Sequence, residues 1–195
     1  TLNNLFPEAK IDVVEIDQAV VNVAKEYFFF EENDNMKVTV KDARVFVKRA
    51  ALSGRKYDYI VLDAFGGDYI PEHLLTREFL GEVKTIMAVD GVLVANTFST
   101  SRFYDHESVT YQDVFNEFFN FKLPTSGNRI IITQLSSLPP RGELVTRAQN
   151  AADRLKKYGV PLLEYPARLS TRVDWDMSRR VLTDQYSPAN LLRDN

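Results

Sequence analysis

Cysteine is absent from the 195 residues, which excludes disulfides, zinc–thiolate centres and thiol nucleophiles. Histidine is scarce: His73 and His106 stand far apart, without metal-ligand spacing, each near an expected helix start, so neither is read as a ligand or catalyst. Basic residues are in no excess. Lys and Arg number 24 against 27 Asp and Glu, a net charge of -3, so nothing argues for nucleic acid or an anionic membrane, whereas acidic clusters suit a cationic ligand. No apolar run approaches the ~18 residues of a membrane span, and the opening "TLNNLFPEAK" lacks the features of a signal peptide. Glycine is missing before Gly54. There is no initiator Met, and the first residues read as the tail of a helix, so the chain is expected to be a fragment, open to fusion with an upstream or membrane segment. The missing cysteine fits a reducing, cytoplasmic location.

What remains is a chain long enough for one domain with a sizeable core. "IDVVEI" reads as an apolar strand, and Asp17 opens a helical run with Val20, Val21, Ala24, Tyr27 and Phe28 at helical spacing. "KVTV" is a second strand, followed by Asp42 and the helix "ARVFVKRAAL". "YDYIVL" is a third, after which Pro71 starts the helix "EHLLTREFLGEVKTIM". Asp90-Gly91 reads as a turn into a fourth strand, "VLVANTF"; residues 106–119 read as a helix and "NRIIITQL" as another strand. Strands alternating with helices predict a doubly wound α/β fold with a mostly parallel sheet. Residues 1–195 read as one domain, in which 140–195 form a helix, "ELVTRAQNAADRLKKYG", and an extended tail packed on the sheet. The aromatic "YFFF" run, residues 27–30, reads as core and edge packing.

Ligands of open parallel sheets bind beyond the carboxyl ends of the strands. Glu15 and Asp17 follow the first strand, Asp42 the second and Asp63 the third, so three consecutive strands are expected to deliver carboxylates to one edge. Asp17 and Asp42 are also good helix N-caps. Glu15 is not, and a glutamate ending an apolar strand wants a partner; a ribose diol, which can donate two hydrogen bonds to one carboxylate, is a natural one. In dinucleotide-binding folds such an acid comes about 20 residues after a glycine-rich turn, which here falls before Thr1. The sheet is therefore expected to lack its first strand and glycine loop.

The segments "VVEIDQAVVNVAKEYF", "VKDARVFV", "YDYIVLDAFGGDYIPEHLLTREFL", "GVLVANTFS" and "LPTSGNRIII" resemble, in order and spacing, the spermidine synthase (polyamine aminopropyltransferase) family, bacterial spermidine synthase-like proteins in particular. The resemblance covers roughly residues 10–133. It implies the class I S-adenosylmethionine-dependent methyltransferase-like (Rossmann-like) fold, a homodimer, and transfer of an aminopropyl group from decarboxylated S-adenosylmethionine to a small-molecule amine such as putrescine. The ribose-binding acid falls on Glu15, with Asp17 beside it in the donor site; the adenine-binding pair falls on Asp42 and Ala43, and the catalytic acid on Asp63. Acceptor contacts are expected from Asp68, two residues past the position of the family's second acid, and from Tyr69 or Tyr104 in place of the family's tyrosine. The chain departs from the family in lacking the glycine-rich motif, in carrying Gly66 where a second acid usually stands, and in having no Tyr in "LPTSGN". The donor half is thus the better match. An S-adenosylmethionine-dependent methyltransferase and a non-catalytic nucleoside-binding module of a larger polypeptide are the alternatives.

In aminopropyl transfer a neutral amine attacks the carbon beside a sulfonium. An alkylammonium titrates near ~10.4 and an ordinary aspartic acid near ~3.9, so the proton cannot simply rest on such an acid. The role expected of Asp63 is to orient the amine in a desolvated cleft, with Gly66-Gly67 allowing a movable loop and Asp68 holding a second ammonium.

Overall fold

The computed structural model describes residues 2–65, 70–123 and 126–186. Two compact units form, Thr1–Ser53 and Gly54–Asn195. In the first, a helical turn α1 (Leu2–Leu5) precedes strand β1 (Ile11–Glu15), helix α2 (Gln18–Tyr27), strand β2 (Met36–Val40) and helix α3 (Ala43–Leu52). β1 and β2 pair in parallel, Ile11 opposite Met36 through Glu15 opposite Val40. Parallel neighbours need a crossover, and α2 supplies it. Both longer helices begin on the foreseen aspartates. The Asp17 carboxylate accepts from the Ala19 N–H at 2.7 Å and Asp42 from the Val45 N–H at 3.0 Å, each satisfying an amide the helix cannot pair internally.

The apolar stripe of α2 is only partly used. Val21 is buried, but Val20 is exposed, and Tyr27, Phe28 and Phe29 are 64%, 75% and 89% exposed. The "YFFF" run is therefore not core packing. The helix ends at Tyr27, where the Phe28 N–H closes on the Ala24 carbonyl, and the chain turns out of the helix so that these rings reach solvent.

The second unit contains β3 (Tyr57–Leu62), a 3-10 turn (Glu72–Leu74), α4 (Arg77–Ile86), β4 (Met87–Phe98), α5 (Tyr104–Phe115), β5 (Phe119–Lys122), β6 (Asn128–Gln134), α6 (Arg141–Lys156), a second 3-10 turn (Leu162–Glu164) and α7 (Tyr165–Arg168). Its sheet has the order β3-β4-β6-β5. β3 and β4 are parallel; β6 runs antiparallel to both β4 and β5. Phe79, Leu80, Val83 and Ile86 share one face of α4 and are buried, as are Leu93, Ala95 and Ile131 of the sheet.

Three local expectations are revised. The helix foreseen from Pro71 is split: Thr76 takes extended backbone angles, accepts from the Phe79 N–H at 3.2 Å and so starts α4 afresh. Asp90-Gly91 is not a turn before the strand but a bulge within it, since Tyr57 pairs with Met87 while Tyr59 already pairs with Val92. Glycine is needed there because a Cβ on Gly91 would lie 2.9 Å from the Tyr57 carbonyl oxygen and 3.0 Å from the Ala88 nitrogen. The helix foreseen over 106–119 stops at Phe115, because Asn116 adopts a left-handed conformation (φ 66°), and Phe119 opens β5 instead.

The segment after α7 is held at many points. Ser170 forms an antiparallel bridge with Asn120, Trp175 stacks on Phe118 at 5.0 Å, and Leu182 is completely buried. The Leu182 N–H donates to the Thr110 hydroxyl at 2.9 Å, its carbonyl accepts from the Arg77 N–H at 2.9 Å, and Asp184 accepts from the Thr76 hydroxyl at 2.8 Å.

Candidate active site

In the first unit the register places the carboxyl ends of β1 and β2 side by side, and the Lys41 N–H donates to the Glu15 carbonyl at 2.9 Å. Glu15, Asp17, Asp42 and Ala43 therefore gather at one end of this strand pair. Glu15 is half-buried; its Oε1 accepts from the Asp17 N–H at 2.9 Å, which aims the side chain along the strand end and leaves Oε2 to accept further. Asp17 and Asp42 each spend one oxygen on a helix cap. Ala43 is the first residue of α3, so its N–H is one of the amides a helix cannot satisfy, beside the positive end of the helix dipole. Carboxylates next to free helix amides can hold a group that has both hydroxyl donors and a heteroatom acceptor.

In the second unit Asp63 follows the last residue of β3, and Leu62 pairs with Ala95, so Asp63 stands beside Asn96 of β4. The Asn96 Nδ2 donates to Asp63 Oδ1 at 2.9 Å, and Asn96 Oδ1 accepts from the Asn128 Nδ2 at 3.0 Å. Asp63 is exposed. Phe65 and Phe98 pack their rings 5.1 Å apart close by in sequence. Asp68 and Tyr69, the foreseen acceptor contacts, lie outside the described residues, as do Gly66 and Gly67.

Tyr104, considered as a replacement for the absent family tyrosine, is otherwise committed. Its hydroxyl donates to Asp174 at 2.6 Å and accepts from Lys122 at 3.0 Å, while the Arg129 guanidinium lies 4.2 Å from its ring centroid. Burial raises the Tyr104 pKa above that of an ordinary phenol, and the hydrogen bond to Asp174 adds to the shift. His106 is buried and donates through Nδ1 to the Arg180 carbonyl at 2.7 Å, a structural contact with the C-terminal segment.

The second unit also buries a charged group. Arg129 is fully buried, donates through Nε to Asn120 Oδ1 at 2.7 Å, and has Nη2 without a partner. Glu107, also buried, is pushed up to about 7 by desolvation, which the nearby Arg129 only partly offsets. Desolvation lowers Arg129 and raises Tyr111.

A model of the spermine/spermidine synthase domain matches residues 5–133. The chain belongs to the spermine/spermidine synthase family. Over 193 residues it is 53% identical to a polyamine aminopropyltransferase of Vibrio vulnificus, a match that covers 98% of this chain and 64% of that protein. The chain thus spans somewhat less than two thirds of that relative. Among solved structures it is similar to human methyltransferase-like protein 13 in complex with SAH, with a TM-score of 0.70, 26% identity, and coverage of 91% of this chain and 78% of that one. It is also similar to a probable spermidine synthase from Corynebacterium glutamicum, with a TM-score of 0.63, 22% identity, and coverage of 92% and 68%. The fold is accordingly the open α/β fold of the methyltransferase-like type that spermidine synthases share.

For this member of the spermine/spermidine synthase family, the described residues hold no cluster of three His, Cys, Asp or Glu side chains suited to a metal, and no helix long and apolar enough to cross a membrane. The structure brings Glu15, Asp17, Asp42 and Ala43 together in one unit and pairs Asp63 with Asn96 in the other. Sequence reasoning passed over Asn96 and Asn128. The available signal was an amide inside the apolar strand "VLVANTF", one position past the partner of Leu62.

Proposed function

We propose that the protein transfers an aminopropyl group from decarboxylated S-adenosylmethionine to a small-molecule amine such as putrescine, releasing methylthioadenosine. The observation that carries this reading is Asp63: an exposed carboxylate at the carboxyl end of a parallel strand, one oxygen fixed by Asn96 and the other open to an ammonium. Close similarity to a polyamine aminopropyltransferase supports it.

Glu15 would accept from the ribose hydroxyls of the donor, and Asp42 with the Ala43 N–H would meet the adenine edge, with Asp17 capping α2 next to them. The amine nitrogen forms a bond to the carbon beside the sulfonium as the carbon–sulfur bond breaks, its electron pair passing to sulfur to give a neutral thioether. The reactant ammonium gives up one proton to solvent before it attacks, and the nitrogen that has formed the new bond carries the positive charge that sulfur loses. Asp63 orients the attacking nitrogen through an N–H hydrogen bond and so fixes the in-line geometry. Asp68 would hold the distal ammonium and Tyr69 would pack against the chain between. We further propose that the enzyme works as a cytoplasmic homodimer, which light scattering would check.

The test is methylthioadenosine release from decarboxylated S-adenosylmethionine with putrescine, and its loss in Asp63→Asn. Wild-type turnover in that variant would overturn the role of Asp63. Similarity to methyltransferase-like protein 13, seen with SAH, favours a second reading as a methyltransferase. Calorimetry separates the two, since a methyltransferase binds S-adenosylmethionine more tightly than its decarboxylated form.

A further inference from the structure

The reading of Asp63 leaves open what sets the direction of its carboxylate. Asn96 and Asn128 share one face of the sheet: Asn96 pairs with Ile130, and Asn128 lies two residues before Ile130 on β6. Their side chains form a directed relay. Asn128 Nδ2 donates to Asn96 Oδ1 at 3.0 Å, and Asn96 Nδ2 donates to Asp63 Oδ1 at 2.9 Å. The far end is also anchored. The Asn128 N–H donates to the Ser126 hydroxyl at 3.1 Å, and that turn is tied to β4 by the Ser99 N–H donating to the Gly127 carbonyl at 2.8 Å.

The chemistry fixes the polarity of this relay. An ionised carboxylate only accepts, so Asn96 must turn its NH2 toward Asp63; its oxygen then faces Asn128, which must answer with a donor. Without Asn128 the Asn96 amide loses the contact that holds its oxygen end, and the donor to Asp63 is no longer fixed in direction. We propose that Asn128, acting through Asn96, is a positioning residue that pins Oδ1 of Asp63 and leaves Oδ2 directed at the acceptor amine. This inference rests on the reading of Asp63 given above.

Asn128 is exposed, so its side chain can be changed with little effect on folding. Asn128→Leu keeps the size and removes the donor; Asn128→Gln keeps an amide. Loosening the Asn96 donor, whose partner Asp63 is charged, corresponds to roughly a tenfold change. Asn128→Leu should lower kcat for methylthioadenosine release by about tenfold, with KM for the donor changed less than about twofold. In the same variant the Asn96 side-chain NH2, followed by 1H–15N NMR, should exchange with solvent several-fold faster than in the wild type, because the contact that holds its oxygen end is gone. Asn128→Gln should recover most of both. The relay requires the two changes together, and either one without the other overturns it. If Asp63→Asn leaves turnover unchanged, the reading of Asp63 falls on its own, and the Asn96 amide exchange in Asn128→Leu alone decides whether the relay holds the donor to Asp63.

Discussion

Asn96 donates to Asp63 across 2.9 Å and thereby joins the end of β3 to β4, an interior strand of the larger sheet. An exposed aspartate at a strand end has free χ angles in water, and fixing them costs rotamer entropy that a substrate would otherwise have to supply on binding. Here the fold has already supplied it.

Glu15→Gln should raise the KM for decarboxylated S-adenosylmethionine by roughly tenfold or more while changing kcat less, because hydrogen bonds to charged acceptors contribute about 1.5–3 kcal/mol and the ribose hydroxyls are remote from the reacting carbon. Initial-rate kinetics with the donor varied would check this.

Glu107 should make stability fall with rising pH. Its carboxyl is pushed up to about 7 in the folded protein, above its ordinary value of 4.5, so the protonated form is the one the fold favours. Its contribution is fully present below pH ~4.5 and is lost as pH rises through about 7, by on the order of 3 kcal/mol. Urea melts of Glu107→Gln should show a smaller decline between pH 5 and 8 than those of the wild type, and equal slopes would refute the assignment.

Gly91→Ala should destabilise the β3–β4 pairing by about 1–3 kcal/mol, since the added methyl meets backbone atoms that cannot rotate away. A lowered urea midpoint with an unchanged m-value is the expected result.

Leu182→Ala should cost about 2–5 kcal/mol, the range for emptying a fully buried site. Because the Leu182 backbone bonds both Thr110 and Arg77, limited proteolysis should cut residues 170–186 first in this variant.

The alternating part of the fold was legible because it is local. The runs that became β1 to β4 carry their own periodicity, and Asp17 and Asp42 announce their helices. What was not legible depended on pairing partners. Nothing around "FNFK" marks it as a strand until β6 lies beside it, and Gly91 looks like any Asp-Gly turn until Tyr57 is brought against it. The candidate acids were placed by their position after strands, whereas Asn96 and Asn128 matter only because their strands are adjacent.

The Thr76 hydroxyl that caps α4 donates to Asp184, 108 positions later in the chain. During synthesis at about 5–20 residues per second, α4 emerges many seconds before that acceptor exists. The larger unit therefore completes its helical layer only when residues 182–184 clear the ribosome, and nascent chains stalled before this point should be held open, sensitive to protease and to capture by chaperones.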